Sequence, residues 1–258
     1  MNPSETELLI HLSGRNVEPI RVRRLLPEIA DWNRFFRGVY RNRIERLVFD
    51  NLDRARLYRS LPEEIRAGLE SRYEKTAFFV EAGLRAVREI CRILTKNRIE
   101  YLFLRGPAAG VTLYPRPYLR PFADLDLLLR KEDLIAAAAT LAEYGYRPEN
   151  EKIPGGYFLK YHLHLRLINR SSGIPLELHW RLDHPYSLEN VAYPSLFEKR
   201  RTALWSGTEI PILSREDQLI CLGFHLNKHC PFLADLLGEP DFEALMISGG
   251  YLLWLADI

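Results

Sequence analysis

The spacing of apolar residues changes from helical to strand-like near residue 98. Before that point apolar residues recur every three to four positions, most clearly over residues 78–94, which is the period of an amphipathic helix. Pro62 precedes two glutamates, a composition typical of a first helical turn. We therefore predict a long helix from about residue 62 to 97, broken near Tyr73. A capping box from Ser4 to Glu7 predicts a short helix at the N-terminus.

The middle of the chain carries short apolar runs of the kind that form strands. Residues 100–105 have an aromatic and apolar centre and lead into Gly106, and residues 125–129 form a second run, apolar except for Asp126, after a stretch rich in Tyr and Pro. Both runs are bounded by turn residues, so we predict two strands. A helix is predicted from about Glu132 to Tyr144, with Gly145 at its C-terminal end.

Two further runs alternate between apolar and polar residues over most of their length. Residues 157–167 and 174–180 have a period of two and are separated by a turn at Ser171-Ser172-Gly173, which predicts a hairpin. The register that we predict places Glu177 opposite Arg166 and His179 opposite His164. Polar side chains of both strands then share one face, which could line a site.

Beyond Pro185 the pattern is helical again, with a capping box from Ser214 to Asp217 that predicts a helix reaching His229. The fold class is therefore predicted to be α+β, with a small mixed or antiparallel sheet and helices on one face. We predict a helical segment over residues 1–97, a sheet core over 98–184 and a helical segment over 185–258. Because the chain ends within a predicted helix, we expect a further C-terminal helical part to be missing.

Composition limits the partners only weakly. The chain has 258 residues, 47% of them hydrophobic and 27% charged, and a formal net charge of +2, which predicts a soluble globular protein without requiring a nucleic-acid partner. An arginine cluster at residues 37–46 fits either a nucleic-acid contact or a solvated helix face. Three scattered cysteines, no signal peptide and no membrane-spanning run predict a cytoplasmic protein. The oligomeric state is not predicted.

Candidate chemistry is concentrated at Asp124 and Asp126, which alternate with apolar residues. On a strand, carboxylates at i and i+2 point to the same side. Like charges held so close repel each other, so such a pair is typical of a site where Mg²⁺ or Mn²⁺ bridges phosphates. An exposed strand edge with two aspartates is the alternative for so short a motif.

A set of motifs in a fixed order resembles a known family. The set comprises Leu104-Arg105-Gly106, the Tyr114-Pro115 turn, Arg120, Asp124-Leu125-Asp126, Leu176-Glu177-Leu178-His179-Trp180 and His225. Together they resemble the uncharacterised nucleotidyltransferase family of the DNA polymerase beta-like superfamily, over roughly residues 30–258.

The resemblance implies a role for each matching residue. It implies that Asp124, Asp126 and Glu177 are catalytic ligands of Mg²⁺ or Mn²⁺, and that Gly106 opens a loop over the nucleotide phosphates. Arg105 and Arg120 are candidate phosphate contacts, because a guanidinium presents a fixed donor fork. The implied reaction is transfer of a nucleoside monophosphate from an NTP to an unidentified hydroxyl acceptor. Candidate substrate contacts are His164, Arg166, His179 and His225.

Pro107 departs from the family pattern, because the residue after the loop glycine has no N–H to offer a phosphate. A catalytically inactive nucleotide- or partner-binding protein is therefore an alternative, and a DxD glycosyltransferase is a second. Cys221, His225 and His229 form one helical stripe with Cys230 adjacent. We do not interpret them as a zinc site, because three successive turns of one helix cannot close around the ion.

Overall fold

The structure is a computed structural model that describes residues 2–14, 16–150, 159–171, 173–183, 191–229 and 252–257. The chain divides into two compact units. The first comprises Met1–Phe78, Leu119–Pro121 and His225–Ile258, and the second comprises Phe79–Tyr118 and Phe122–Phe224. The first unit thus includes residues from both the N-terminal and the C-terminal part of the chain. None of the helices in these described ranges combines the length and apolarity needed to cross a bilayer.

The described helices follow the chain order. They are α1 (Pro3–Ser13), α2 (Pro19–Leu25), α3 (Trp32–Arg41), α4 (Glu45–Arg54), α5 (Glu63–Lys96), α6 (Pro107–Leu113), α7 (Leu134–Glu143), α8 (Tyr193–Glu198), α9 (Arg215–His229) and α10 (Leu252–Asp257). Short 3₁₀ turns lie at Leu26–Glu28, Tyr58–Ser60, Pro117–Leu119 and Lys131–Asp133.

The N-terminal cap of α1 differs from the prediction. The capping box is formed by Asn2 and Glu5, not by Ser4 and Glu7: the Asn2 side chain accepts from the Glu5 amide at 2.7 Å, and the Glu5 carboxylate accepts from the Asn2 amide at 3.0 Å. Pro3 occupies the first helical turn, where a missing N–H costs nothing. Glu5 is fully buried and also accepts from the Arg34 guanidinium at 2.8 Å, which compensates its charge.

The long helix is confirmed and is continuous through Tyr73, so the predicted break is wrong. The Tyr73 ring packs against Phe49 with 4.6 Å between ring centroids and a tilt of 33°, and the Arg46 guanidinium lies 4.2 Å from the centroid of the Tyr73 ring. These contacts accommodate the Tyr73 ring within a continuous helix, which the helical periodicity of the sequence alone did not indicate. The Ser214 to Asp217 cap of α9 is confirmed, with the Asp217 amide donating to the Ser214 hydroxyl at 3.1 Å.

The described strands form one seven-stranded mixed sheet in the second unit, which confirms the α+β class. The strands are β1 (Tyr101–Phe103), β2 (Leu125–Leu129), β3 (Arg147–Pro148), β4 (His164–Ile168), β5 (Leu176–His179), β6 (Arg201–Trp205) and β7 (Thr208–Ile212). Their order across the sheet is β3-β4-β5-β2-β1-β7-β6. The β2–β5 and β1–β7 pairs are parallel, and the remaining pairs are antiparallel.

Apolar side chains cover both faces of this sheet. On one face Phe103, Leu127 and Leu178 pack with residues of α5 and α7. On the other face Leu102, Leu104 and Leu128 pack with residues of α8 and α9. Helices therefore lie on this second face as well as on the first, because alternate strand residues on both sides are apolar. The carboxylates of the predicted site share the second face.

Two predicted elements differ in extent or type. The strand predicted over residues 157–167 begins at His164, since residues 159–161 are helical; residues 157 and 158 lie outside the described ranges. Residues 201–212, predicted to be helical, form the β6–β7 hairpin. Its turn places Ser206 and Gly207 at φ of 44° and 83°, the conformation of a type I′ turn, which pairs strands directly.

Candidate active site

Parallel pairing of β2 with β5 brings two of the predicted carboxylates together. Asp126 and Glu177 are register partners, so both side chains emerge on the same face of the sheet. Asp124 comes one residue before β2 begins at Leu125. The sheet itself thus places the third carboxylate, Glu177, beside the Asp124 and Asp126 pair.

Arg105 compensates the most buried of these carboxylates. Its Nε donates to Asp126 Oδ2 at 3.0 Å, and its terminal nitrogen donates to Asp126 Oδ1. Both residues are less than a tenth exposed. Burial alone would raise the pKa of Asp126, but Arg105 and a hydrogen bond with His179 hold it well below its usual range. Asp126 is therefore ionised, and the structure places Arg105 against a carboxylate rather than leaving it open to solvent.

Asp124 has the opposite electrostatic environment. Partial burial and the neighbouring charges of Asp126 and Glu177 raise the pKa of Asp124 from 3.8 to about 6, with Arg105 and Arg166 offsetting part of the effect. The negative charge at this point exceeds what the two arginines neutralise. Such a position attracts a cation.

Glu177 lies between two imidazoles. Its Oε2 is 3.3 Å from His179 Nε2 and 3.7 Å from His164 Nε2. The two rings are 4.9 Å apart, because His164 and His179 are register partners across β4 and β5. Burial would raise the pKa of Glu177, but the hydrogen bond from His179 and the charge of His164 lower it overall. Glu177 is thus ionised, which suits a ligand better than a base.

The predicted hairpin register is confirmed, since Arg166 pairs with Glu177 and His164 with His179. Arg166 also lies 3.7 Å from Glu149 in an exposed ion pair. His179 is buried, and its Nε2 is 2.9 Å from Asp126 Oδ1 and 3.2 Å from the Arg105 guanidinium. His179 therefore links the hairpin to the acidic pair, a role that the alternation pattern did not reveal.

The loop at Gly106 opens directly into a helix. Gly106 has φ of 45° and is the N-cap of α6, with Pro107 as its first residue. The next amide, that of Ala108, donates to the Arg105 carbonyl at 2.8 Å. Neither of the first two positions after the glycine therefore offers an N–H to a phosphate. A Cβ on Gly106 would also lie 3.3 Å from the Phe122 side chain, so glycine is required here by conformation and space.

Arg120 and His225 belong to the first unit. Arg120 is buried and its guanidinium binds the Asp257 carboxylate at 2.6 Å and 3.1 Å. Arg120 thus donates to a carboxylate with the guanidinium that was predicted to contact phosphate. The phosphate contact of Arg120 stays a prediction. His225 lies on α9 and is half-buried. In the helical stripe that we do not interpret as a zinc site, the His229 side chain and Cys230 lie outside the described residues, and Cys221 is a free, buried thiol.

The donor chemistry of the three carboxylates fits a divalent cation. Hard cations such as Mg²⁺ take carboxylate oxygens. Burial, and after it the charges of Asp126 and Glu177, raise the pKa of Asp124, and a bound cation would oppose both effects. Asp126 already accepts from Arg105, but a carboxylate offers about four lone-pair sites. The Asp126 carboxylate can therefore accept hydrogen bonds from Arg105 and coordinate an ion at the same time.

Comparison with known proteins finds one matching family model and two similar solved structures. A family model described as uncharacterised nucleotidyltransferase matches residues 28–258. The lincomycin-bound lincosamide antibiotic adenylyltransferase LnuA is similar at 17% identity and a TM-score of 0.39, over 53% of this chain and 83% of that one. TM1012 of Thermotoga maritima, provisionally described as a nucleotidyltransferase, is similar at 19% identity and a TM-score of 0.43, over 60% and 91%. No curated protein matches the chain.

Proposed function

Because this chain belongs to the uncharacterised nucleotidyltransferase family, as its motifs predicted, we propose that it transfers a nucleoside monophosphate from an NTP to a hydroxyl acceptor in a metal-dependent reaction. The observation that carries the proposal is the convergence of Asp124, Asp126 and Glu177 on one sheet face, with the charge of Asp124 incompletely compensated. Nucleotidyl transfer needs such a site, because negative charge spreads over the phosphorus and its oxygens as the bond breaks.

Each residue of the site has a proposed part. Asp124 and Asp126 would hold Mg²⁺ or Mn²⁺ on the triphosphate side, and Glu177 would complete the site toward the acceptor. When bound, the ion neutralises the attacking and leaving oxygens. Arg105 keeps Asp126 ionised and oriented. The lowered pKa of Glu177, due to His179 and His164 despite burial, favours holding an ion over accepting the acceptor's proton.

The binding of the triphosphate would depend on side chains more than on the loop backbone. Pro107 has no N–H and the Ala108 amide is already bonded, so the turn after Gly106 supplies less than a glycine-rich loop does. Arg166, on the polar face of the hairpin, contributes positive charge near Asp124. We propose that this arginine contacts phosphate, with His164 nearer the acceptor.

Isothermal titration with a panel of NTPs in the presence of Mg²⁺ tests the proposal. We expect at least one NTP to bind, and binding to be lost in the double variant Asp124→Ala plus Asp126→Ala. Glu74→Gln, which removes an exposed charge on α5, serves as the control and should bind as wild type does. Binding of no nucleotide, or unchanged binding in the double variant, would refute the proposal.

A second candidate function is nucleotide or partner binding without catalysis. It is favoured by the bidentate hold of Arg105 on Asp126 and by Pro107 after the loop glycine. Pyrophosphate release distinguishes the two functions. Metal-dependent release with any acceptor excludes the inactive alternative, whereas nucleotide binding without release across a broad acceptor panel supports it.

A further inference from the structure

We propose that His164, Glu177 and His179 bind a first-row transition-metal ion, of the class of Zn²⁺ or Co²⁺. One ligand atom from each of the three lies within 4.8 Å of the others. The set arises from the hairpin alone: His164 faces His179 across the β4–β5 pair, and Glu177 is two residues before His179 on β5. All three side chains therefore emerge on one face.

The separations between ligand atoms fit a common ion. Atoms that each lie about 2.0–2.1 Å from a metal at a tetrahedral angle are about 3.3–3.4 Å apart. His179 Nε2 and Glu177 Oε2 are 3.3 Å apart, and His164 Nε2 and Glu177 Oε2 are 3.7 Å apart. The third separation, between ligand atoms of His164 and His179, lies within 4.8 Å, so the outer ligand, His164, would close on the ion as it binds.

The graded burial of the cluster suits an ion that must also meet a substrate. The His179 side chain is 1% exposed, Glu177 is 14% exposed and His164 is 24% exposed. The inner ligand is thus fixed by the core, and the outer ligand lies where an ion enters. Three protein ligands leave at least one coordination position for water or substrate, as in catalytic sites.

The ligand types select the class of ion. Imidazole nitrogen suits Zn²⁺, Co²⁺ and other transition ions, whereas sites built for Mg²⁺ use oxygen. The competing occupant is a proton: His179 Nε2 also lies 2.9 Å from Asp126 Oδ1, so a protonated ring could bridge the two carboxylates. Metal and proton compete for the same nitrogen, and direct binding distinguishes them.

Glu177 belongs both to this cluster and to the proposed carboxylate site. The role of the ion in catalysis therefore rests on the proposed function, whereas its binding does not. The ion on the acceptor side would then have mixed nitrogen and oxygen ligands. Binding is measured without nucleotide, so the two ideas can fail separately. NTP binding with Mg²⁺ can survive the loss of this site, and ion binding here can survive the absence of nucleotide binding.

The experiment titrates untagged, chelator-treated protein with Co²⁺ and follows its visible absorption, with calorimetry of Zn²⁺ and Mg²⁺ in parallel. We expect one Co²⁺ per chain and much tighter binding of Zn²⁺ than of Mg²⁺. Disturbing a residue that merely orients a ligand weakens metal binding about 10- to 100-fold, so His164→Ala should weaken it by at least about 100-fold. His162→Ala removes a half-buried imidazole two residues away and should change binding less than about 3-fold, well below that range.

His164→Gln removes the imidazole but keeps a polar side chain, and it decides the matter if His164→Ala does not fold, which circular dichroism shows. Loss of Co²⁺ binding in this variant supports the site. The inference is overturned by the absence of stoichiometric Co²⁺ binding, by equal affinity for Mg²⁺ and Zn²⁺, or by unchanged binding in a folded His164→Ala or His164→Gln variant. Thiolate-to-cobalt charge-transfer absorption would place the ion on a cysteine and overturn it as well.

Discussion

Replacing Asp124 with Asn should stabilise the metal-free protein at neutral pH. The partly buried carboxylate lies beside two others, and burial with their charges raises the pKa of Asp124 from 3.8 to about 6. At about 1.4 kcal/mol per pH unit, this rise corresponds to about 3 kcal/mol of destabilisation once the carboxylate is ionised. Asn removes the charge while keeping the shape of the side chain, so most of that free energy should be recovered.

The raised pKa of Asp124 determines how the stability difference between Asp124→Asn and wild type depends on pH. A carboxyl that binds its proton more tightly in the folded state favours folding while protonated, and this contribution is lost as pH rises. The stability advantage of Asp124→Asn over wild type should therefore be near zero below pH 3.8, grow between pH 3.8 and about 6, and stay constant above.

Urea unfolding in EDTA measures this advantage. Tryptophan fluorescence reports on the relevant unit, since Trp180 and Trp205 are buried in its core. The exposed control Glu74→Gln should stay within about 0.5 kcal/mol of wild type at every pH. Added Mg²⁺ should stabilise wild type and not Asp124→Asn. An unchanged or lower stability of Asp124→Asn at pH 8 would refute the electrostatic reasoning.

Four other substitutions test individual buried contacts and helix positions, each by urea unfolding. Arg105→Met leaves Asp126 buried without its cation and should cost about 3–5 kcal/mol; a loss below 1 kcal/mol would contradict the pairing. Gly83→Ala places a Cβ 2.5 Å from the Phe122 ring and should cost about 1–3 kcal/mol. Gly223→Ala is the matched control on α9, where a Cβ would have no atom within 4 Å, and it should stabilise the protein by up to about 1 kcal/mol. Asp257→Asn removes the charge that holds a buried guanidinium and should cost about 3–5 kcal/mol; equal stability to wild type would show that this ion pair contributes nothing.

The parts of the fold that follow from local pattern were predictable. Alternation of apolar and polar residues in the two runs predicted the β4–β5 register, because a slip of one residue would bury His164 and Glu177. The long helix followed from its apolar period and acidic first turn. The hairpin at residues 201–212 was missed, although Ser206-Gly207 between two alternating runs is a recognisable two-residue turn signal.

The electrostatics of the site depend on contacts that no local pattern encodes. Arg105 was expected to contact phosphate, but it lies against Asp126, 21 residues away in sequence. Arg120 pairs with Asp257, 137 residues away. The contact of His179 with Asp126 required the β2–β5 pairing, which the alternation within the hairpin does not predict. Such contacts are set by packing and are visible only in three dimensions.

The central claim is that Asp124, Asp126 and Glu177 hold a divalent cation against a triphosphate. A crystal structure with Mn²⁺ and a non-hydrolysable NTP analogue tests it most directly, because anomalous scattering locates Mn²⁺ independently of the protein model. We predict Mn²⁺ bound by Asp124 and Asp126 and contacting the phosphates, with Glu177 on the acceptor side. Mn²⁺ bound elsewhere, or a nucleotide bound away from these carboxylates, would contradict the claim.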